Sequence, residues 1–147
     1  MDDIILTPAD ESMRAAAARL LASNGLVALE PEAPLEDRYV AALVDGELIG
    51  MAGFELHGGA ALLRSVAVDA EFRGRGLGAA LVTEALEGAA AAGARTVYLL
   101  TEGAADYFAR FGFSVIGRGE GPAGIAETSE WRVACPASAT AMRLELG

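Results

Sequence analysis

A basic, glycine-rich segment, Arg-Gly-Arg-Gly-Leu-Gly at residues 73–78, follows the apolar run Ala61–Val68 and precedes a segment with an apolar face at helical spacing. Glycine permits positive φ angles and lets a backbone approach a ligand closely. The first amides of a helix lack intrahelical partners and lie at the positive end of the helix dipole. A strand, a glycine-rich turn and a helix start, in this order, therefore predict a site for a phosphate or pyrophosphate. Arg73 and Arg75 would add charge-assisted donors.

The spacing of this segment differs from that of two other phosphate-binding loops. A dinucleotide-binding fold needs Gly-x-Gly-x-x-Gly within a βαβ unit, and a P-loop needs a Lys after its last glycine. The chain has no Lys, so arginine supplies all 11 of its basic side chains. The alternative interpretation is a solvated turn that happens to be basic, and a motif alone does not exclude it.

Turn signals divide the remaining sequence into short apolar runs. Asp45-Gly46 separates Tyr39–Val44 from Leu48–Leu56, which predicts a hairpin, and Gly58-Gly59 leads from there into the strand that precedes the glycine-rich segment. The other predicted elements are an edge strand Ile4–Leu6, a helix from Pro8 to about Ser23 with Thr7 as its N-cap, a helix from Gly78 to about Ala92, a strand Thr96–Leu100, a short helix from Ala104 to about Phe111, and strands Phe113–Ile116 and Thr140–Leu146. This order predicts one α/β domain over residues 1–147, with a mixed sheet flanked by helices.

Composition narrows the classes of function. A hydrophobic fraction of 53% in 147 residues favours one folded domain, and a net charge of −10 disfavours binding to nucleic acid or to an anionic membrane. The single cysteine, Cys135, excludes an internal disulfide, and the single histidine, His57, excludes a histidine-rich metal site. Because no apolar run is long enough for a membrane span and Asp2 and Asp3 are unlike a signal peptide, we expect a soluble cytoplasmic protein.

The glycine-rich segment and its neighbours resemble the GCN5-related N-acetyltransferases, the GNAT superfamily. Arg73, Gly76 and Gly78 match the family pattern Arg/Gln-x-x-Gly-x-Gly/Ala, Ser65–Val68 matches the strand before it, and Phe108–Phe113 matches a short helix that ends in Gly-Phe. The resemblance covers residues 1 to about 117. It implies the acyl-CoA N-acyltransferase fold, an antiparallel meander followed by a β-loop-α-β unit with splayed strands. It also implies acetyl-CoA as the cosubstrate, no metal, and transfer of the acetyl group to an amine.

The resemblance assigns residues to acetyl-CoA. The implied set combines the strand backbone, the loop with the start of its helix, and the short aromatic helix: Val66, Ala67, Val68, Arg73, Gly74, Arg75, Gly76, Leu77, Gly78, Ala79, Phe108 and Phe111. A backbone N–H of Val66 or of a neighbour would donate to the carbonyl oxygen, on which charge develops during acyl transfer.

The sequence departs from the family at the acid and the base. The usual tyrosine acid is replaced by Phe108, so either the adjacent Tyr107 substitutes for it or Tyr107 only packs. A glutamate base found in some members is replaced by Leu62. Glu102 could act on the amine through a water or could cap the following helix, and His57 is a further candidate base.

Arg64 is the candidate that bears most directly on the acceptor. Strand alternation places it with Leu62, Val66 and Val68 on one face, which the resemblance directs toward the acceptor. The guanidinium fork suits an acid group on the substrate, and the alternative is an ion pair with an Asp, a Glu or the last strand. The candidate substrate-binding residues are Arg64, Thr101, Glu102 and Cys135, although a lone cysteine can equally be a small buried apolar residue.

A narrower likeness is to acetyltransferases encoded in arsenic-resistance operons. It is carried by Ala61–Val68, Tyr98–Thr101 and Cys135–Ala139. It implies detoxification of an amino-acid-like acceptor such as a glutamate analogue with an arsenic or phosphorus oxyacid, and family members often form homodimers. Other amines, such as a polyamine or a protein N-terminus, stay open as acceptors, as does a CoA-binding module without catalysis.

Overall fold

The computed structural model describes residues 3–126, 128, 131 and 138–146. The strands are β1 (Ile5–Pro8), β2 (Tyr39–Val44), β3 (Glu47–His57), β4 (Ala60–Val68), β5 (Thr96–Thr101), β6 (Ser114–Ile116) and β7 (Thr140–Glu145), and the helices are α1 (Arg14–Ser23), α2 (Leu77–Ala91), α3 (Ala105–Ala109) and α4 (Ala123–Ala126). Within this part of the chain, seven strands form one sheet in the order β1-β2-β3-β4-β5-β7-β6. The parallel pair β4–β5 among antiparallel pairs makes the sheet mixed, which confirms the predicted fold class.

The predicted hairpin between β2 and β3 is confirmed. Asp45 and Gly46 both have positive φ, 51° and 81°, as a two-residue turn that matches the strand twist requires. A register shift between Ala42 and Leu43 places a bulge in this pair.

The start of α1 differs from the prediction. Thr7 and Pro8 do not cap and open a helix but end β1, where Pro8 lies opposite Val40 of β2. Proline is tolerated there because β1 is an edge strand, so no second neighbour needs its missing N–H. The cap is instead Asp10, whose carboxylate accepts from the Ser12 amide at 2.9 Å and starts a 3₁₀ turn ahead of α1.

The chain divides into two compact units, each with its own buried core. The first unit comprises Met1–Phe54 and Ser65–Gly88, and the second unit comprises Glu55–Arg64 and Ala89–Gly147. The expectation of a single domain over the whole chain stays a prediction. In the first unit, buried residues of α1, β2, β3 and β4 share one core, made of Ala9, Ala17, Leu20, Leu21, Leu35, Tyr39, Ala41, Met51 and Ala67. The core of the second unit contains Ala60, Leu62, Tyr98, Ile125, Trp131 and Ala141.

In the second unit, the parallel β4–β5 ladder joins Ala60–Leu62 to Thr96–Tyr98. The last strand, β7, pairs with β5 on one edge and with β6 on the other. Over Ala141–Arg143, both edges of β7 are therefore paired within the chain.

Candidate functional site

The glycine-rich loop in the first unit has the geometry that an anion site needs. Residues 73–76 are exposed, and Gly74 and Gly76 have φ of 80° and 78°. A Cβ at either glycine would meet nothing within 4 Å, so it is the backbone angle that calls for glycine there. The helix α2 begins at Leu77, and the Ala80 amide donates to the Gly76 carbonyl at 3.1 Å. The amides before Ala80 lie at the positive end of α2, so the loop fits a pyrophosphate.

The two arginines of the loop differ in their contacts. Arg73 donates through Nη2 to Asn24 Oδ1 at 2.6 Å and through Nε to the Val68 carbonyl at 3.1 Å. It therefore ties the loop to the end of α1 and to the end of β4. Arg75 lies over the Phe72 ring at 5.0 Å, in a cation–π contact at the exposed surface. The sequence analysis did not connect Asn24 to the loop, because nothing local relates it to a residue 49 positions away.

Within β4, the strand that leads to the loop, Ser65 departs from the extended conformation. This residue has φ of 59° inside β4, although it is not glycine and is only 8% exposed. A left-handed conformation costs an L-residue roughly 1–2 kcal/mol, and such strain concentrates at functional sites. Strict alternation needs extended residues, so the predicted common face of Arg64 and Val66 does not extend through Ser65.

In the second unit, Arg64 is part of a charged cluster with two residues of β3. The Arg64 side chain is 1% exposed and donates through Nη1 to Glu55 Oε2, in an ion pair. His57 Nε2 lies 3.3 Å from the other Glu55 oxygen, and the side chains of Glu55 and His57 are each 27% exposed. A Cβ at Gly124 of α4 would lie 3.1 Å from the His57 Cβ, so α4 packs closely on His57. The ion-pair alternative for Arg64 is therefore present, with a partner that the sequence left unspecified.

The aromatic helix α3 places Tyr107 beside Phe108 and Phe111. The Tyr107 ring meets these two rings edge-on at centroid distances of 5.2 and 5.4 Å, and Phe108 is buried. Burial raises the pKa of the Tyr107 hydroxyl, and the positive charge of Arg110 opposes this rise. The hydroxyl is therefore protonated at neutral pH and can donate a proton but not accept one.

The remaining candidates lie at or beyond the end of β5. Thr101 is half-buried and pairs with Thr140 of β7. Glu102 is exposed, and the N-cap of α3 is Ala104 without a side-chain cap hydrogen bond, so the capping role predicted for Glu102 is wrong. Cys135 lies outside the described residues. Leu62, at the position of the family base, is fully buried in the core.

Three further findings concern the residues that the structure describes. These residues contain no group of three or more His, Cys, Asp or Glu side chains placed to hold a metal ion. None of the helices they form has the length and apolar character needed to cross a membrane. The first unit also contains a cavity of about 270 Å³ that the sequence analysis did not predict, lined in part by Thr7, Arg38, Phe54, Glu84 and Gly88.

Comparisons with known proteins identify the family of the chain. The profile of the Acetyltransferase (GNAT) family matches residues 11–113. N-acetylglutamate synthase from Neisseria gonorrhoeae, complexed with coenzyme A and N-acetyl-glutamate, superimposes with a TM-score of 0.81 at 18% identity over 99% of this chain, which spans only 35% of that protein. Rv2747 from Mycobacterium tuberculosis, in a complex with CoA, superimposes with a TM-score of 0.81 at 23% identity. The match covers 97% of this chain and 99% of the Rv2747 chain.

A third similar structure is diaminobutyrate acetyltransferase EctA from Paenibacillus lautus in complex with L-2,4-diaminobutyric acid and coenzyme A. Its TM-score is 0.71 at 14% identity, and the match covers 99% of this chain and 96% of that protein. A search of curated protein sequences finds none that matches. The family profile covers well over half of the chain. The chain is therefore an acetyl-CoA-dependent N-acetyltransferase domain that belongs to the acetyltransferase (GNAT) family.

Proposed function

We propose that this domain acetylates the amine of a small amino-acid-like acceptor, such as glutamate or an analogue with a phosphorus or arsenic oxyacid. The observation that carries the proposal is the cluster of Arg64, Glu55 and His57 in the second unit. It combines a buried positive charge with a half-exposed negative one, and an amino acid carries the two complementary charges. The names of the Neisseria and Paenibacillus enzymes support the same class, since both refer to acetylation of an amino acid.

The burial of Arg64 defines how the cluster would work. A guanidinium that is 1% exposed is retained only with compensating charge, which Glu55 supplies. An acid group on the acceptor would reach Arg64 by taking the place of the Glu55 carboxylate. The displaced carboxylate, which is already 27% exposed, would then be free to receive the acceptor ammonium. The cluster would thus exchange an internal ion pair for two pairs with the substrate.

The acetyl-CoA end of the reaction would use main-chain groups of the first unit. The amides of residues 74–79 would hold the pyrophosphate, and the Val66 amide would donate to the acetyl carbonyl oxygen. Bound acetyl-CoA supplies the activated thioester. Residues 73–76 present this backbone to solvent, so a ligand can reach it without rearrangement of the loop.

On its way to the amide the acceptor ammonium loses two protons, one before its nitrogen attacks and one after the C–N bond forms, and the leaving thiolate takes up one, so that one proton is released. The ammonium must lose a proton before its nitrogen forms the new C–N bond, and Glu55, His57 and Glu102 are the candidate acceptors of that proton. As the C–S bond breaks, the thiolate takes a proton, for which the neutral hydroxyl of Tyr107 is a candidate donor. The products are an amide and CoA.

The experiment that tests the acceptor class measures CoA release with a panel of amines, for wild type and Arg64→Ala. The panel contains glutamate, phosphinothricin, arsinothricin, diaminobutyrate and spermidine. We expect turnover of the acidic amino acids, with a loss of roughly 100-fold in kcat/KM in the variant, as for removal of a charged partner. Equal turnover of acidic acceptors by both proteins would reject a substrate role for Arg64.

A cationic acceptor is the second candidate. The net charge of −10 attracts a polyamine at long range, whereas the charge of Arg64 repels it locally. Turnover of spermidine but of no acidic amino acid in the same panel would select this alternative.

The assembly and cellular location belong to the same proposal. We expect a homodimer, by likeness to the family, formed through a surface other than the paired edges of β7. Sedimentation at micromolar concentration tests this expectation, and a monomer would reject it. We expect activity in the cytoplasm because acetyl-CoA is an intracellular metabolite, and fractionation of cells that express the protein tests that.

A further inference from the structure

Within β4, Ser65 has a backbone conformation that is unusual for a strand and that its surroundings must stabilise. Its φ of 59° is one that a residue with a Cβ rarely adopts, and Ser65 is 8% exposed, so water does not stabilise it. The surrounding structure must therefore determine this angle. Val66 follows immediately, so the angle at Ser65 fixes the direction of the Val66 amide.

Tyr39 is the residue that reaches Ser65. It begins β2 and lies directly opposite Gly53 of β3. A Cβ at Gly53 would lie only 2.2–2.5 Å from three atoms of the Tyr39 ring, so the ring occupies the space that a side chain at 53 would need. The Tyr39 hydroxyl lies 3.5 Å from Ser65 Oγ, and Tyr39 is 6% exposed. The glycine thus lets the ring lie across β3 with its hydroxyl at β4.

We propose that Tyr39 is a positioning residue for acetyl transfer: its hydroxyl holds Ser65 in the left-handed conformation and thereby aims the Val66 amide. This inference rests on the proposed function, in which the Val66 amide receives the acetyl carbonyl oxygen. Tyr39, Gly53, Ser65 and Val66 all belong to the first unit, so the device is contained in that unit.

The distance sets the expected size of the effect. Oxygens 3.5 Å apart are at the outer limit of a hydrogen bond, so the contact is a weak one. We expect Tyr39→Phe, which keeps the ring in the core, to lower kcat about tenfold, as for one modest hydrogen bond. The affinity for CoA should be unchanged, because the pyrophosphate loop is not altered.

Ser65→Gly separates a positioning role from a chemical one. Glycine adopts positive φ without a Cβ penalty, so this variant should keep its activity without the Tyr39 hydroxyl. We therefore expect Tyr39→Phe/Ser65→Gly to be as active as Ser65→Gly alone. A double variant as impaired as Tyr39→Phe would overturn the proposal, since the hydroxyl would then act on the reaction itself. An inactive Ser65→Gly, or a fully active Tyr39→Phe, would also overturn it.

The Val66 amide resonance gives a readout that does not depend on turnover. In ¹⁵N–¹H spectra of the full chain, Tyr39→Phe should shift the Val66 peak, and adding Ser65→Gly should remove the dependence on residue 39. A Val66 peak that is unmoved by Tyr39→Phe would sink the positioning role. Titration of the wild type with acetyl-CoA tests the proposed function separately, because a Val66 peak that does not respond would reject the carbonyl contact and leave the Tyr39–Ser65 link intact.

Discussion

The glycine-rich loop of the first unit and the charged cluster of the second unit offer a ligand different kinds of chemical group. The loop at residues 73–78 offers main-chain amides, and its conformation depends on Gly74 and Gly76 at positive φ. The cluster offers side chains, Arg64 from β4 with Glu55 and His57 from β3, and its geometry depends on which residues the two strands bring together. A main-chain site is thus encoded in consecutive residues, whereas a side-chain site is encoded in strand pairing.

This difference extends to burial. The loop is exposed, so a change there should affect ligand affinity more than folding. Arg64 is almost fully buried, so a change there should affect both. Variants of the loop and of the cluster should therefore separate effects on ligand affinity from effects on stability.

Arg64→Met should cause the largest loss of stability. The change removes a buried ion pair, but the carboxylate left behind is 27% exposed and can rehydrate, so we expect a loss of about 2 kcal/mol rather than the roughly 3–5 kcal/mol seen when the remaining charge is buried. Urea unfolding measures this. Arg143→Met is a matched control, because Arg143 is 43% exposed and 3.6 Å from Glu145, and it should cost under about 0.5 kcal/mol. Equal losses in the two variants would contradict a special role for burial.

Gly76→Val should weaken CoA binding about tenfold, because a β-branched residue is strained by roughly 1–2 kcal/mol at a φ of 78°. Calorimetric titration with CoA measures the effect. Gly119→Val is the control, since it changes an exposed glycine of the second unit around which a Cβ has open space. If both variants bind CoA as the wild type does, the pyrophosphate is held elsewhere.

The same contrast explains what the sequence could predict. The loop, the Asp45-Gly46 hairpin and the end of the first helix near Ser23 are local signals, and the structure confirms the hairpin and the helix end and gives the loop its two glycines at positive φ. All strand boundaries but one lie within one residue of the prediction. The exception is Pro8, where a helix-start signal was overridden because the segment pairs with β2 as an edge strand.

Most of the missed features involve residues distant in sequence. The contact of Arg73 with Asn24 and the position of β7 between β5 and β6 depend on tertiary packing, which no local pattern encodes. The conformation of Ser65 was missed because serine carries no signal for positive φ. Glu55 was identified only as the end of a strand, since its partner Arg64 lies across a hairpin.

Tyr107→Phe tests whether Tyr107, which packs against neighbouring aromatic rings, also donates a proton in the reaction. We expect kcat within about threefold of the wild type, whereas loss of a general acid costs roughly 100-fold or more. Because burial raises the pKa of this tyrosine, its contribution to stability is present at neutral pH and is lost as the pH rises above the ordinary tyrosine value of about 10. Alkaline unfolding should therefore be less steep in the Phe variant. A large loss of kcat would instead assign Tyr107 as the acid.

The smallest effect should come from Glu11→Gln. The Glu11 carboxylate makes an exposed contact in the first unit with both a charged side chain and a main-chain amide. The hydrogen bond from Arg14 Nε at 2.9 Å, and then that from the Leu35 amide at 3.2 Å, lower the pKa of the Glu11 carboxyl. A lowered pKa stabilises the fold above the unfolded value of about 4.3 and loses that contribution as the pH falls through the folded value.

Glu11→Gln should therefore be slightly less stable than the wild type at pH 7 and equal to it near pH 2, as thermal unfolding at the two values would show. Glu36→Gln, another exposed carboxylate of the same unit, provides the matched control. A deficit of Glu11→Gln that persists at acid pH would mean that the amide disturbs packing, so the charge itself would not be what joins Arg14 to the Leu35 backbone. A deficit confined to neutral pH would show that the charge of an exposed carboxylate stabilises its contact with a main-chain amide.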